Sequence, residues 1–121
     1  MTTVFQTTVT TIGPEAEEMI EGANMLILFG EDAPADLAEF CFTIDNKNLA
    51  GPIQPGGVVL IDNLSYPITS VGKVVEKNLS NLGHITIAFD GSEESSLPGT
   101  LHVSAEQLPT LAKGTIVKIN T

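Results

Sequence analysis

Three side chains have types suited to nucleophilic or proton-transfer chemistry: Cys41, His84 and His102, the one cysteine and both histidines of the 121 residues. A neutral imidazole keeps a lone pair on one ring nitrogen near pH 7, which makes it a nucleophile when the other nitrogen is held by an acceptor. His84 follows Gly83 and opens the run His84-Ile85-Thr86-Ile87-Ala88-Phe89. The alternation sets Ile85, Ile87 and Phe89 on one face and His84, Thr86 and Ala88 on the other. His102 lies between Leu101 and Val103 and faces away from both. Pairing of 84–89 with 100–104 as a hairpin would bring the two rings close, whereas a register change of one residue would put them on opposite faces. The plainer reading of either histidine is a surface or hydrogen-bonded structural residue. Cys41, between Phe40 and Phe42, reads as a buried thiol.

Other chemistries find no support. The chain has no Gly-x-x-x-x-Gly-Lys-Ser/Thr loop, no Gly-x-Ser-x-Gly elbow, and no His or Cys pair at metal-ligand spacing. No cofactor and no metal site are implied. Fifteen acids offer too many pairs for a carboxylate dyad to be assigned.

The charge is lopsided. Five lysines and no arginine stand against fifteen acids, for a formal net charge of −10. A chain without clustered Lys or Arg cannot displace phosphate counterions, and an anionic membrane surface repels it, so binding to nucleic acid and membrane insertion are both excluded as expectations. Nine of the acids fall in residues 1–46, which hold no lysine, while both histidines share residues 47–121 with all five lysines. The acidic part reads first as a solubilising surface and second as a docking face for a basic partner. One cysteine excludes an internal disulfide, and no signal peptide or membrane-length apolar run is present, so a cytoplasmic location is expected.

These residues need elements to position them. The β-branched run 3–12 predicts a long strand, broken by Gly13-Pro14 and followed by a short helix ending near Gly22. Residues 25–29 read as a buried strand. Asp32 to Glu39 read as a cap, a proline and about two helical turns, leading into a strand at 40–44. Further strands are expected at 58–61, 66–71, 84–89, 100–103 and 114–119, with one continuing through 73–76 and a helical turn at 78–83 capped by Gly83. Residues 90–99 read as an acidic loop. The pattern predicts an all-β class: a single domain over 1–121, barrel-like or folded-sheet in architecture, with short peripheral helices.

The order and spacing of several segments carry a resemblance over nearly the whole chain. They are Gln6-Thr7-Thr8-Val9-Thr10-Thr11-Ile12-Gly13, Ala33-Pro34-Ala35-Asp36-Leu37-Ala38-Glu39-Phe40-Cys41-Phe42, Tyr66-Pro67-Ile68-Thr69-Ser70-Val71-Gly72, Leu82-Gly83-His84-Ile85-Thr86, Phe89-Asp90-Gly91 and Pro98-Gly99-Thr100-Leu101-His102-Val103. Together they resemble the glucitol/sorbitol-specific IIA component of the phosphoenolpyruvate-dependent sugar phosphotransferase system. The resemblance implies a phosphoryl carrier rather than a stand-alone enzyme. It would accept phosphate on a histidine from the carrier protein HPr and pass it to the IIB domain of a sorbitol permease made of IIB and IIC components.

The chain departs from that family at one point. Typical members carry the phosphorylated histidine just after the Cys-Phe of the 40–42 block, and here the stretch reads Thr43-Ile44-Asp45-Asn46-Lys47. Another histidine then takes the phosphate, with His84 favoured over His102 because it follows a glycine at a strand edge. The alternative is a IIA-like binding or regulatory module that carries no phosphate. A third reading, a small-ligand β-barrel, has no specific residue behind it.

Overall fold

A computed structural model describes residues 1–95 and 97–121; Ser96, inside the predicted 90–99 loop, lies outside the described residues. Eight strands close into a barrel: β1 (Thr3–Ile12), β2 (Met25–Phe29), β3 (Phe42–Ile44), β4 (Val58–Ile61), β5 (Leu64–Val71), β6 (Ile85–Ala88), β7 (Thr100–Val103) and β8 (Ile116–Asn120). Around the wall they run β1-β3-β2-β6-β7-β5-β4-β8, and β8 pairs with β1 to leave no free edge. Among the described residues, three helices lie outside: α1 (Ala16–Ala23), α2 (Ala35–Ala38) and α3 (Val75–Leu82). The all-β barrel with short peripheral helices is the architecture that the strand pattern predicts.

Alternation fills the barrel. Leu26 and Leu28 of β2, Ile85 and Ile87 of β6, Leu101 and Val103 of β7, and Val117 and Ile119 of β8 are almost wholly buried. Each such side chain contributes about 1.5–3 kcal/mol by leaving water. Helix α1 adds Ala16 and Ile20, and α3 adds Val75 and Leu79, four residues apart on one face. That i, i+4 pair explains a correction. Residues 73–76 do not continue a strand, because Val75 and Glu76 already belong to α3 and Val75 packs as a helical residue.

Topology decides the pairing that the alternation of 84–89 and 100–104 leaves open. Strands β6 and β7 are not a hairpin but a parallel pair, with Thr86 opposite Thr100, Ile87 opposite Leu101 and Ala88 opposite His102. Residues 89–99 cross from the end of one strand back to the start of the other, as parallel pairing requires. Strands β2 and β3 are also parallel, and their crossover carries α2. That helix is one turn rather than two, and Pro34, not Asp32, stands at its N-cap. The Cys41 N–H already bonds the Ala38 carbonyl as the chain turns into β3.

The crossover is tied to α1 by backbone. Gly13 N–H donates to the Cys41 carbonyl and Glu15 N–H to the Glu39 carbonyl, both at 2.9 Å. Gly13 has no room for a side chain, because a Cβ there would collide with the Ala38 and Glu39 carbonyl oxygens. The substitution Gly13→Ala is therefore expected to destabilise the fold by about 1–3 kcal/mol through forced separation of α1 from α2, read as a lower urea midpoint with unchanged m-value.

Candidate functional site

The geometry around His84 follows from two glycines and one strand register. Gly83 ends α3 with φ 69°, a left-handed conformation that favours glycine, and a Cβ there would lie 2.8 Å from the Gly30 nitrogen. Gly30 N–H in turn donates to the Leu82 carbonyl at 3.0 Å, so the end of β2 and the end of α3 meet backbone to backbone. The His84 N–H reaches the Asn78 carbonyl at 3.3 Å. Antiparallel pairing of β2 with β6 sets Leu28 opposite Ile85. That register turns Ile85 inward and His84 outward, as its alternation predicts.

The His84 ring is half-buried and lies against Phe29, with centroids 4.5 Å apart at an interplanar angle of 31°. Its Nδ1 faces the Leu28 carbonyl oxygen at 3.4 Å. A carbonyl only accepts, so this contact selects the tautomer with hydrogen on Nδ1 and leaves the lone pair on Nε2. Nε2 has no hydrogen bond among the described residues. The ring borders a hollow of about 310 Å³ walled by Met19 of α1, Ile27 of β2, Leu37 of α2, Phe40 and Cys41. None of these lining residues is a cation.

A second hollow of about 470 Å³ adjoins it, with Leu37 common to both and Phe29, the partner of the His84 ring, in its wall. Ile44 to Lys47 line this second hollow, so the stretch in which the family resemblance expected a histidine stands beside His84. Ile44 itself is wholly buried, and Asp45 accepts from the Thr8 N–H at 3.0 Å and the Thr7 hydroxyl at 3.2 Å. Lys47 donates through Nζ to the Asn81 carbonyl at 2.8 Å, near the C-terminal end of α3.

His102 is held differently. It sits outward on β7 beside Ala88, four residues along β6 from His84, roughly 13 Å at about 3.3 Å per residue. The two histidines therefore are not brought together. His102 Nδ1 donates to Asp90 Oδ1 at 2.8 Å. Its Nε2 is buried and has no partner among the described residues. The 90–99 segment is fastened to the neighbouring wall by the Thr69 hydroxyl, which donates to the Ser92 carbonyl at 2.6 Å, and by the Ser95 hydroxyl, which donates to the Thr100 carbonyl at 3.1 Å. Partial burial pushes the Asp90 carboxyl up. The His102 hydrogen bond, the Ser92 N–H and attraction to the ring outweigh it and hold the carboxyl below its ordinary 3.8.

Cys41 is the buried thiol expected from its neighbours. Its Sγ donates to the Leu37 carbonyl at 3.1 Å, and burial pushes the thiol up from 9.0, away from thiolate reactivity. Sequence reasoning missed Asp90 as the partner of His102 and Phe29 as the partner of His84. The motif Phe89-Asp90-Gly91 was the available signal for the first, and nothing in the sequence pointed to the second.

Comparison with known proteins gives concordant results. The family model of the PTS system glucitol/sorbitol-specific IIA component matches residues 4–118. Proteins named PTS system glucitol/sorbitol-specific EIIA component from Shigella flexneri and from Escherichia coli (strain K12) are each 42% identical over 121 residues, covering 100% of this chain and 98% of the relative. The crystal structure of a PTS system IIA component from Enterococcus faecalis V583 superposes with a TM-score of 0.84 at 27% identity, covering 97% of this chain and 100% of that one.

The Asp90–His102 contact carries a pH signature. A carboxyl held below its ordinary value adds stability that is present above the unfolded-state value and is lost as pH falls through the lowered folded-state value. The wild type is expected to lose this contribution on acidification, while Asp90→Asn, which starts less stable near neutrality, shows a flatter decline. Urea midpoints of the two proteins across the acid range measure the difference.

Proposed function

Since the chain belongs to the glucitol/sorbitol-specific IIA family of the phosphoenolpyruvate-dependent sugar phosphotransferase system, we propose that its phosphoryl group is carried on Nε2 of His84, received from HPr and delivered to the IIB component of a sorbitol permease on the cytoplasmic side. The observation that carries the site choice is the pairing of a fixed tautomer with access. Nδ1 is committed to the Leu28 carbonyl, and the ring borders an open hollow.

The chemistry asks little of the protein beyond placement. The incoming phosphorus sits on a histidine nitrogen of the donor. As the His84 Nε2 lone pair forms its bond to phosphorus, the donor's N–P bond breaks and its electron pair returns to the donor ring. No proton has to leave Nε2, because the tautomer already has none there. Phe29 limits rotation of the ring by lying against it. Met19, Ile27, Leu37 and Phe40 give the hollow apolar walls, which disfavour an attacking water while the donor covers the opening. The absence of lysine and arginine from those walls leaves the phosphohistidine ungripped, so it stays high enough in energy to pass on.

The alternative of a IIA-like module that carries no phosphate is not retained. The match runs through residues 4–118 and 42% identity spans the full chain, and the chain has His84 and a His102 oriented by a carboxylate. No helix among the described residues is long and apolar enough to cross a membrane. One observation favours a second site reading. His102, with Asp90 on Nδ1 and an unpartnered buried Nε2, has the tautomer of a nucleophile. It would accept phosphate only once that atom becomes accessible, because Nε2 is buried as it stands.

Incubation with labelled phosphoenolpyruvate, enzyme I and HPr separates these readings. Acid-labile label is expected on the wild type and on His102→Ala, and its loss on His84→Ala. Label that survives His84→Ala but vanishes with His102→Ala assigns the carrier role to His102. A wild type that takes no label contradicts phosphoryl transfer altogether.

A further inference from the structure

We infer that Lys47 supplies the cation that meets the phosphoryl oxygens at His84. This rests on the carrier reading above, and extends it from the acceptor atom to the group that offsets the arriving charge.

A phosphoryl group on a side chain carries roughly −1.5 to −2 charges near neutrality. At His84 it would arrive beside anions. Glu31 and Asp32 line the larger hollow, and neither carboxylate has an ion-pair partner among the described residues. Asp45 lines it too, with its Oδ1 already accepting from Thr7 and Thr8. Against these acids stands a single lysine. Lys47 lines the larger hollow, and no other lysine lines either one.

The backbone brings this lysine toward the ring. Its Nζ donates to the carbonyl of Asn81, three residues before His84. Ile44, three residues before Lys47, has its Cδ1 3.4 Å from the point where a Gly83 Cβ would stand. The stretches 44–47 and 81–84 therefore lie side by side, with Gly83 fixed against Gly30 between Asn81 and His84. Phe29 shares the larger hollow with Lys47 and holds the His84 ring at 4.5 Å on its own face.

An ammonium has three donors. The Asn81 carbonyl takes one, at the end of α3 where the helix dipole favours a cation. The other two have no protein acceptor among the described residues. Turning about this anchor, the exposed side chain presents them to the phosphoryl oxygens. Negative charge spreads over those oxygens as the donor's N–P bond breaks and the bond from His84 Nε2 to phosphorus forms, and Nζ offsets it there. Lys47 keeps all its protons through the step. One exposed, strongly hydrated ammonium, without the fork of an arginine, offsets the group and still lets it pass on.

Phosphorus NMR after chemical phosphorylation with potassium phosphoramidate reads this contact without any partner protein. A nearby cation favours the dianion, so the phosphoryl group at His84 is expected to titrate at higher pH in Lys47→Met than in the wild type. Transfer from phosphorylated HPr is expected to slow roughly tenfold in Lys47→Met, and Lys47→Arg, which keeps the charge, recovers most of the rate. Lys118→Met, on β8, four strands from β6 either way round the barrel, leaves both readings unchanged. A titration and a rate unmoved in Lys47→Met, or moved equally by Lys118→Met, overturn the assignment. So does a His84 that takes no phosphoryl group by either route. A titration that moves in Lys47→Met, with no transfer from HPr to the wild type, supports the contact and contradicts the carrier reading, so the two fail separately. Any stability lost with the Asn81 contact is measured by thermal melting and does not move the phosphoryl titration.

Discussion

The site depends on the register between β2 and β6. With Leu28 opposite Ile85 and Leu26 opposite Ile87, four large side chains enter the barrel, and His84, Thr86 and Ile27 are left on the outer face. A slip by one residue would expose Ile85 and Ile87 and bury an imidazole in a hydrocarbon core, which costs several times the energy of any contact that His84 makes. The burial of the core therefore fixes the direction of the ring. The same register brings the Leu28 carbonyl to Nδ1, so the pairing that stabilises the barrel also orients the His84 ring.

Around this register the chain uses close backbone approach where side chains would interfere. Gly30 against Gly83 joins the end of β2 to the end of α3, and Gly13 against the Ala38 and Glu39 carbonyls joins α1 to α2. The consequence is a short, exposed α2 held firmly at both ends of its crossover while its own side chains remain free. The two histidines, both outward on adjacent parallel strands, are separated along the barrel and serve different ends of it. His102 is bound to the Asp90 carboxylate with its Nε2 buried, and His84 borders the hollow.

Much of this was legible in the sequence. The β-branched run 3–12 became β1 with the same bounds, since strand propensity and tertiary pairing agree there. The alternation at 84–89 gave the facing of His84 correctly, because burial of one face enforces a period of two. The direction in which β6 and β7 pair was not legible. Alternation is the same for parallel and antiparallel strands, and only the length of the 89–99 crossover hinted at the outcome. The Val74-Val75 pair misled for a related reason. Valine favours strands locally, but the Val75–Leu79 spacing buries both only as a helix. The family resemblance carried over nearly the full chain, and the missing histidine at 43–47 was plain. The contacts of Phe29 and Asp90 belong to the folded state alone.

The central claim is that the β2–β6 register prepares one ring atom, Nε2 of His84, for phosphorylation. Phosphorus–nitrogen correlation by NMR on protein with 15N-labelled histidine rings, after phosphorylation through HPr, addresses that atom directly. The account predicts a one-bond coupling from phosphorus to Nε2 of the ring assigned to His84, with Nδ1 still bearing its hydrogen. Coupling to Nδ1 of His84, or to either nitrogen of His102, would contradict it.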